Sequence, residues 1–355
     1  MQTVFIAFTL KNSSVAEFFV SLANKLSKTH RVFIFTYATE AHDLTLDSSI
    51  KVLEWPSKRP TKLVDFRFLV KNMREYKPKT LIASFGAVNL FMLAGFLLRV
   101  KHRVAWYHTL TSQLEFKHLL FWRKKAIYKF ATRIIANSAS AGLDVKKAFG
   151  INKNKVEVIS NAVNNPCITA ETNRCTLVYA GRLHSIKGVK VLLKALEIVK
   201  EKYPDIILEV IGGEDEPGMM SELLQLSKKL KLEENVRFAG SRQKDYVLQA
   251  FSTAYCSIVP SYFEAFGYVV IESFSVHTPV IGSNTTGIAE IIQNEASGLL
   301  FEPGNHRELA SQINRLLAQP QFRDELSEKA YEQFLKKYEL NRVIGDFVGQ
   351  SIIFK

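Results

Sequence analysis

Glu264 and Glu272 stand eight residues apart in the stretch PSYFEAFGYVVIESFSVHTPVIGSNTTGIAEII, from Pro260 to Ile292. A strand ends at Val259, a loop carries Glu264, and Phe266 and Gly267 open a helix that contains Glu272. Gly267 lets backbone approach a ligand, and a helix start presents free N–H groups and a positive dipole end to a phosphate. Glu272 lies roughly 7 to 8 Å beyond Gly267 at 1.5 Å per helical residue. That spacing suits one carboxylate holding hydroxyls at the helix mouth and the other a ribose deeper in. Arg182 and Lys187 follow an earlier strand, Thr176 to Ala180. Two fixed cations there are suited to neutralising a diphosphate and the charge that grows on it as a group departs. Taken alone, two glutamates at this spacing are a common accident, so their meaning depends on the elements that carry them.

Those elements read as α/β. Apolar runs rich in Val, Ile and Phe alternate with helical-period segments, the pattern of a parallel sheet covered on both faces. The first half predicts strands at Val4 to Phe8, Arg31 to Thr36, Lys51 to Glu54, Thr80 to Phe85, Arg103 to Tyr107, Arg133 to Asn137 and Val156 to Ile159. The second predicts them at Thr176 to Ala180, Ile206 to Ile211, Val236 to Ala239, Ala254 to Val259 and Pro279 to Ile281. Two doubly wound domains follow, facing each other across a crevice at the carboxyl ends of both sets of strands. The expected boundaries are 1–165, 166–338 and a final helix at 339–355 that returns to the first domain. No glycine precedes Gly86, so the first turn, Thr9 to Ser14, lacks a dinucleotide fingerprint, and no P-loop occurs anywhere. Thirteen of the 17 glycines follow Ala170, which directs phosphate contact to the second domain.

With this order in view, Pro260 to Ile292 closely resembles the Glu-x7-Glu signature of retaining glycosyltransferases of family four. YAGRLHSIKGVKVLLKAL (Tyr179 to Leu196) is similar to that family's strand, Gly-Arg, Lys-Gly and helix element. VISNAVN (Val158 to Asn164) resembles its interdomain hinge, VIGGEDEP (Val210 to Pro217) its Gly-rich loop, and VRFAGS (Val236 to Ser241) the strand end that holds the nucleobase. The resemblance implies a GT-B fold and transfer of a sugar from a nucleotide-diphosphate donor to a hydroxyl on the same face. It further implies that Glu264 holds donor-sugar hydroxyls and Glu272 the ribose. Gly181, Arg182 and Lys187 would meet the diphosphate, Gly240 and Ser241 the base, and Phe266 and Gly267 would offer backbone N–H groups. Family members carry a His after the strand that here is RVAWY, which assigns His108 to the donor sugar. Lys187 would do the electrostatic work often given to Mg2+, so no metal or other cofactor is expected. Glu214, Asp215 and Glu216 form the nearest acidic cluster and read as a cap for the following helix.

Charge is uneven. Through Ala170 there are 26 basic and 10 acidic residues, a net of +16, against 21 and 24 afterwards, a net of −3. An anionic partner is expected to face the first half: a membrane surface, a lipid-linked glycan acceptor or nucleic acid. No nucleic-acid recognition motif is present, so that non-enzymatic reading ranks below the enzyme and nucleic acid is not expected as a partner. A sugar phosphorylase or nucleotide-sugar epimerase on the same fold is the enzymatic alternative. Two segments, Lys62 to Lys77 and Glu115 to Arg133, read as basic amphipathic helices suited to a membrane interface. In the second, Phe116, Leu119, Leu120, Ile127 and Phe130 form the apolar stripe. The uncharged run Thr80 to Leu98 is interrupted by Ser84, Gly86 and Asn89 and flanked by cations on both sides, so it reads as a buried strand and helix rather than a membrane span. The N-terminus reads as a buried strand, not a signal peptide. Cys167, Cys175 and Cys256 read as reduced, mostly buried thiols of a cytosolic protein, and with the two basic helices the expected location is the cytoplasm, peripheral at the inner face of the cell membrane.

Overall fold

The structure, a computed structural model, describes residues 1–37, 39–40, 44–57, 62–108, 110–111, 118–168 and 170–354. They form two compact units: Met1–Ala162 with Leu340–Lys355, and Val163–Glu339.

In the first unit the chain runs β1 (Gln2–Ala7), β2 (Leu10–Lys11), α1 (Ser14–Ser27), β3 (His30–Thr36), β4 (Thr39–Glu40), β5 (Lys51–Glu54) and α2 (Leu63–Tyr76). It continues with β6 (Thr80–Ser84), α3 (Ala87–Leu97), β7 (His102–Tyr107), α4 (His118–Lys129), β8 (Arg133–Ala136), α5 (Ala139–Phe149) and β9 (Val156–Val158). Seven strands form one sheet in the order β5-β3-β1-β6-β7-β8-β9, with parallel pairings throughout. Strands β1 and β6 lie inside it, which is why their sequences are continuous apolar runs with no polar alternation. The uncharged run thus divides into β6 and α3, and no helix among the described residues is long and apolar enough to cross a membrane.

The turn after β1 does without glycine. Residues β2 and β4 pair as a separate parallel ladder, and the Leu10 N–H donates to Thr36 Oγ1 at 3.0 Å. Ser13 Oγ then accepts from the Ala16 N–H, capping α1. The loop is therefore held by hydrogen bonds to its neighbours and not by a tight Gly turn.

In α4, Arg123 and Lys129 are exposed while Lys124 and Lys125 are half-buried. In α2, Arg67, Lys71 and Arg74 are exposed, and so are Leu63 and Val64. The stripe expected in the second segment is divided: Ile127 and Tyr128 are buried while Leu120 and Trp122 face solvent. Glu115, Phe116 and Lys117 lie outside the described residues, as does the Leu119 side chain. The break arises because Tyr128 turns inward to stack on Phe149 of α5 (5.4 Å, 9°), rotating the buried face away from Leu120. The thiol reading also changes: Cys256 is buried, but Cys167 and Cys175 are exposed, because they sit in the linker and at the start of a strand.

The second unit contains β10 (Asn173–Ala180), α6 (Val189–Lys202), β11 (Ile207–Ile211), α7 (Met219–Lys229), β12 (Val236–Gly240), α8 (Lys244–Thr253) and β13 (Ala254–Val259). After these come α9 (Tyr268–Phe274), β14 (Val280–Ser283), α10 (Thr286–Ile291), β15 (Gly298–Phe301), α11 (His306–Ala318) and α12 (Pro320–Lys337). Its sheet is parallel, in the order β12-β11-β10-β13-β14-β15. The chain enters and leaves this unit side by side, with the Val163 N–H donating to the Tyr338 carbonyl at 3.1 Å. The last helix, α13 (Leu340–Gln350), belongs to the first unit. Leu340, Ile344 and Phe347 join the core made by α1 and the sheet, and the Phe347 ring meets Trp106 edge-on at 5.7 Å.

Because α13 supplies core side chains to the first unit, Phe347→Ala should destabilise it by about 3 to 4 kcal/mol, the usual effect of deleting a buried Phe. Urea unfolding followed by Trp fluorescence checks this, since Trp106 is in contact with Phe347.

Candidate active site

In the second unit, parallel pairing puts every strand's carboxyl end on one edge, and the residues singled out from sequence line up along it. Gly240 ends β12 and Ser241 follows it, Gly212 and Gly213 follow β11, Gly181 and Arg182 follow β10, and the loop Pro260–Gly267 follows β13. Neighbouring ends are joined through backbone: the Gly181 N–H donates to the Ile211 carbonyl (2.9 Å) and the Gly212 N–H to the Gly240 carbonyl (2.9 Å). A Cβ on Gly212 would lie 1.8 Å from the Gly181 carbonyl oxygen, so this approach requires glycine. Gly181 in turn leaves room for the Tyr179 hydroxyl, which donates to the Arg182 carbonyl at 3.0 Å.

Lys187 ends a 3₁₀ turn, Ser185–Lys187, and Gly188 follows in the left-handed region at φ 71°. Its Cβ position lies 2.0 Å from the Pro260 carbonyl oxygen, so a side chain here would drive the Lys187 turn off the β13 loop. The Tyr262 N–H donates to the Ile186 carbonyl at 2.8 Å, fastening the same two segments a second time. Thus held, Lys187 Nζ meets Glu264 Oε2 at 2.5 Å, with both side chains largely buried. The Glu264 carbonyl accepts from the Gly287 N–H (2.9 Å) and from Thr286 Oγ1 (2.6 Å), which orients the loop from the other side. Gly287 allows this because its Cβ position falls 2.5 Å from the Phe266 nitrogen.

The Phe266 ring is buried against Tyr268 and Tyr338. Gly267 adopts φ 103° and starts α9; neither its N–H nor that of Phe266 has a partner among the described residues. Glu272 is half-buried on α9, one and a half turns further on. Burial and the Glu264 charge raise the Tyr179 phenol above its usual pKa, consistent with the phenol lying beside this carboxylate.

The acidic cluster does not cap α7, which is preceded by Gly218. Asp215 pairs with Arg182 at 2.6 Å, and Glu216 accepts the Ser185 N–H at 2.6 Å. That hydrogen bond holds the Glu216 carboxyl below the usual range. The cluster therefore positions the loop that carries both cations. His184 Nδ1, accepting from the Ile186 N–H at 3.2 Å, caps the same turn. Neither His184 nor Thr286 and Gly287 stood out in the sequence, because their roles are hydrogen bonds to backbone across sequence-distant loops.

In the first unit, His108 follows β7 and lies at the carboxyl edge of that sheet. Its ring stacks on Phe85 (4.6 Å, 13°), an exposed aromatic held at φ 50° where β6 ends. Such a conformation is unfavourable for a bulky residue and points to a local requirement. Asp144 of α5 clamps the loop on either side of His108: Tyr107 Oη donates to Oδ2 at 2.5 Å, and the Thr111 N–H to the same oxygen at 2.9 Å. Burial lowers the His108 pKa to about 3, so the imidazole is neutral at physiological pH. Buried polar atoms without partners among the described residues collect here: His108 Nε2, Trp106 Nε1, Asn137 Oδ1 after β8 and Asn161 Nδ2 after β9.

Gly188→Ala should cost at least about 2 kcal/mol, combining positive-φ strain with the clash at Pro260. Gly218→Ala, at φ 86° with open space around it, should lose only about 1 kcal/mol, and thermal unfolding compares the two. His108 is protonated more readily unfolded than folded, so its contribution to stability is complete above about pH 6.5 and declines below. Each pH unit from there toward pH 3 should remove up to about 1.4 kcal/mol through this group, and His108→Gln should flatten the urea-measured slope between pH 7 and 5.

Residues 167–333 match the family Glycosyl transferases group 1, and residues 15–165 match Glycosyltransferase Family 4. An uncharacterized glycosyltransferase of Haemophilus influenzae is 26% identical over 93% of this chain and 94% of its own. The D-inositol 3-phosphate glycosyltransferase of Nocardiopsis dassonvillei is 25% identical over 57% of this chain; the match spans about half, 51%, of that protein's length. Among solved structures, Anabaena Alr3699/HepE in complex with UDP-glucose shares the fold at a TM-score of 0.82, with 20% identity over 99% of this chain and 100% of that one. The chain has the GT-B fold and belongs to the glycosyltransferase families, with a Glycosyltransferase Family 4 segment followed by a Glycosyl transferases group 1 segment.

Proposed function

We propose that the protein is a retaining, metal-independent hexosyl- or N-acetylhexosaminyltransferase that uses a UDP-sugar and extends a cell-surface glycan. The observation that carries this is the Lys187–Glu264 pair, set beside the open N–H groups of Phe266 and Gly267 on the carboxyl edge of the second sheet. A diphosphate placed there exchanges with the carboxylates for Lys187 and Arg182, whose charges are stronger partners for phosphate oxygens than for solvent. Glu264, released from Lys187, accepts hydrogen bonds from donor-sugar hydroxyls, and Glu272 does so from the ribose. Gly240 and Ser241, beside the Gly212–Gly213 loop, flank the base. HepE, bound to UDP-glucose on the same fold, supports the choice of UDP.

In the reaction, the bond from the sugar anomeric carbon to the β-phosphate oxygen breaks and a bond to the acceptor hydroxyl oxygen forms on the same face. The acceptor proton passes to the leaving diphosphate oxygen. Lys187 and Arg182 stabilise the charge that develops on that diphosphate, which is the larger electrostatic demand of the step. His108, held neutral, is suited to hydrogen bonding with a sugar hydroxyl and not to carrying a proton at neutral pH. The cationic first unit, with exposed Arg67, Lys71 and Trp122, suits a lipid-linked acceptor at an anionic membrane surface.

Lys187→Ala and Glu264→Gln should each lower turnover at least about tenfold, a loss of about 1.4 kcal/mol of transition-state stabilisation. UDP release dependent on a glycan acceptor measures this, and product NMR reports retention at the anomeric carbon. Unchanged turnover in both variants, or UDP release without a glycosylated product, contradicts the assignment.

A further inference from the structure

Away from the carboxyl edge, five cations converge on one cavity of the first unit. Arg74, Lys77, Lys79, Arg99 and Lys101 line a space of about 450 Å³ at the amino-terminal ends of β6 and β7. Lys77 and Lys79 also line an adjoining space of about 580 Å³ next to β1 and β3. Strand β6 separates this edge from Phe85 and His108 by its own length, roughly 17 Å at 3.3 Å per residue.

Cations near helix C-termini ordinarily serve the final carbonyls. Here several of the carbonyls around the cavity take backbone or Arg103 donors, not these five side chains. The Met73 carbonyl accepts from the Lys77 N–H, Gly95 from Val100, Phe96 from Arg99, and Lys79 from His102. The Val100 carbonyl takes Arg103 Nη1. None of the five side chains pairs with a carboxylate among the described residues, whereas Lys28, Arg182, Lys187, Lys190 and Arg315 all do. Exposed Glu75, next to Arg74, does not line the cavity. Lys77 and Arg99 adopt φ 45° and 53°, positions where glycine is favoured and a long cationic side chain is not. The neighbouring His102 is held below its usual pKa by burial and then by Lys101 and Arg133.

Unpaired like charges converging on one concave surface repel each other until an anion joins them. We infer that this cavity is a second, non-catalytic binding site for a ligand bearing two or more phosphoryl charges. A soluble phosphorylated compound and the headgroup of an anionic lipid share that chemistry. The site does not depend on the donor reading, since no residue is common to both.

The test compares the full chain with Lys79→Gln/Lys101→Gln, both positions being exposed, and with Lys79→Arg/Lys101→Arg as the charge-preserving control. Tripolyphosphate binding is measured by calorimetry at low and high salt. Co-sedimentation uses phosphatidylcholine vesicles with and without about 30 mol % phosphatidylglycerol. Any binding at Arg182 and Lys187 is common to all three proteins and cancels. The expected result is salt-sensitive binding that is at least about tenfold weaker in the Gln variant and retained in the Arg variant. Loss confined to tripolyphosphate supports a soluble ligand, and loss confined to the anionic vesicles supports a lipid headgroup. Equal binding by the native and Gln proteins in both assays, or no binding in either, overturns the inference.

Discussion

The close contact between Lys187 and Glu264 constrains much of the second unit. The two residues are 77 apart in sequence and are brought together because β10 and β13 are neighbours in a parallel sheet. A partly buried ion pair is held only if its surroundings fix the geometry, since desolvation offsets much of the attraction. Here the fixing is done by backbone. Gly188 packs onto the Pro260 carbonyl, Tyr262 binds Ile186, and Thr286 and Gly287 hold Glu264 from behind. Further outward, Asp215 and Glu216 tie the cation-bearing loop to the end of β11. Each cation is thus preset next to a carboxylate.

The first unit has a different design at its carboxyl edge. The turn after β1 has no glycine, and position is set by side chains: Asp144 clamping the His108 loop, Thr36 and Ser13 fixing the turn after β1, and Phe85 forced into an unusual backbone region beneath an imidazole. The result is an edge where buried polar atoms lack partners among the described residues. The cations of the same unit gather elsewhere, on α2 and α4 and at the amino-terminal edge of the sheet.

Much of this was legible in the sequence because a parallel sheet buried on both faces writes itself as uninterrupted apolar runs. All twelve anticipated strands are present; β15 was not anticipated, nor was the ladder of β2 and β4, whose two residues each are too short for periodicity to register. The residues Arg182, Lys187, Glu264, Gly267 and Glu272 were readable as a group because they follow strand ends in order. What escaped notice is whatever depends on contacts between distant loops. The cluster Glu214 to Glu216 looked like a helix cap, yet two of its carboxylates reach back across the sheet edge to Arg182 and Ser185. The α4 stripe failed for a similar reason: stacking on Phe149 chose Tyr128 over Leu120 as the buried face.

The central claim is that Lys187 and Arg182 leave their carboxylate partners to hold a nucleotide diphosphate. A crystal structure of the full chain with UDP tests it most directly. The account predicts diphosphate oxygens within about 3 Å of Lys187 Nζ and the Arg182 guanidinium, with Glu264 freed to face the sugar position. UDP bound elsewhere, with the Lys187–Glu264 contact intact, would contradict it.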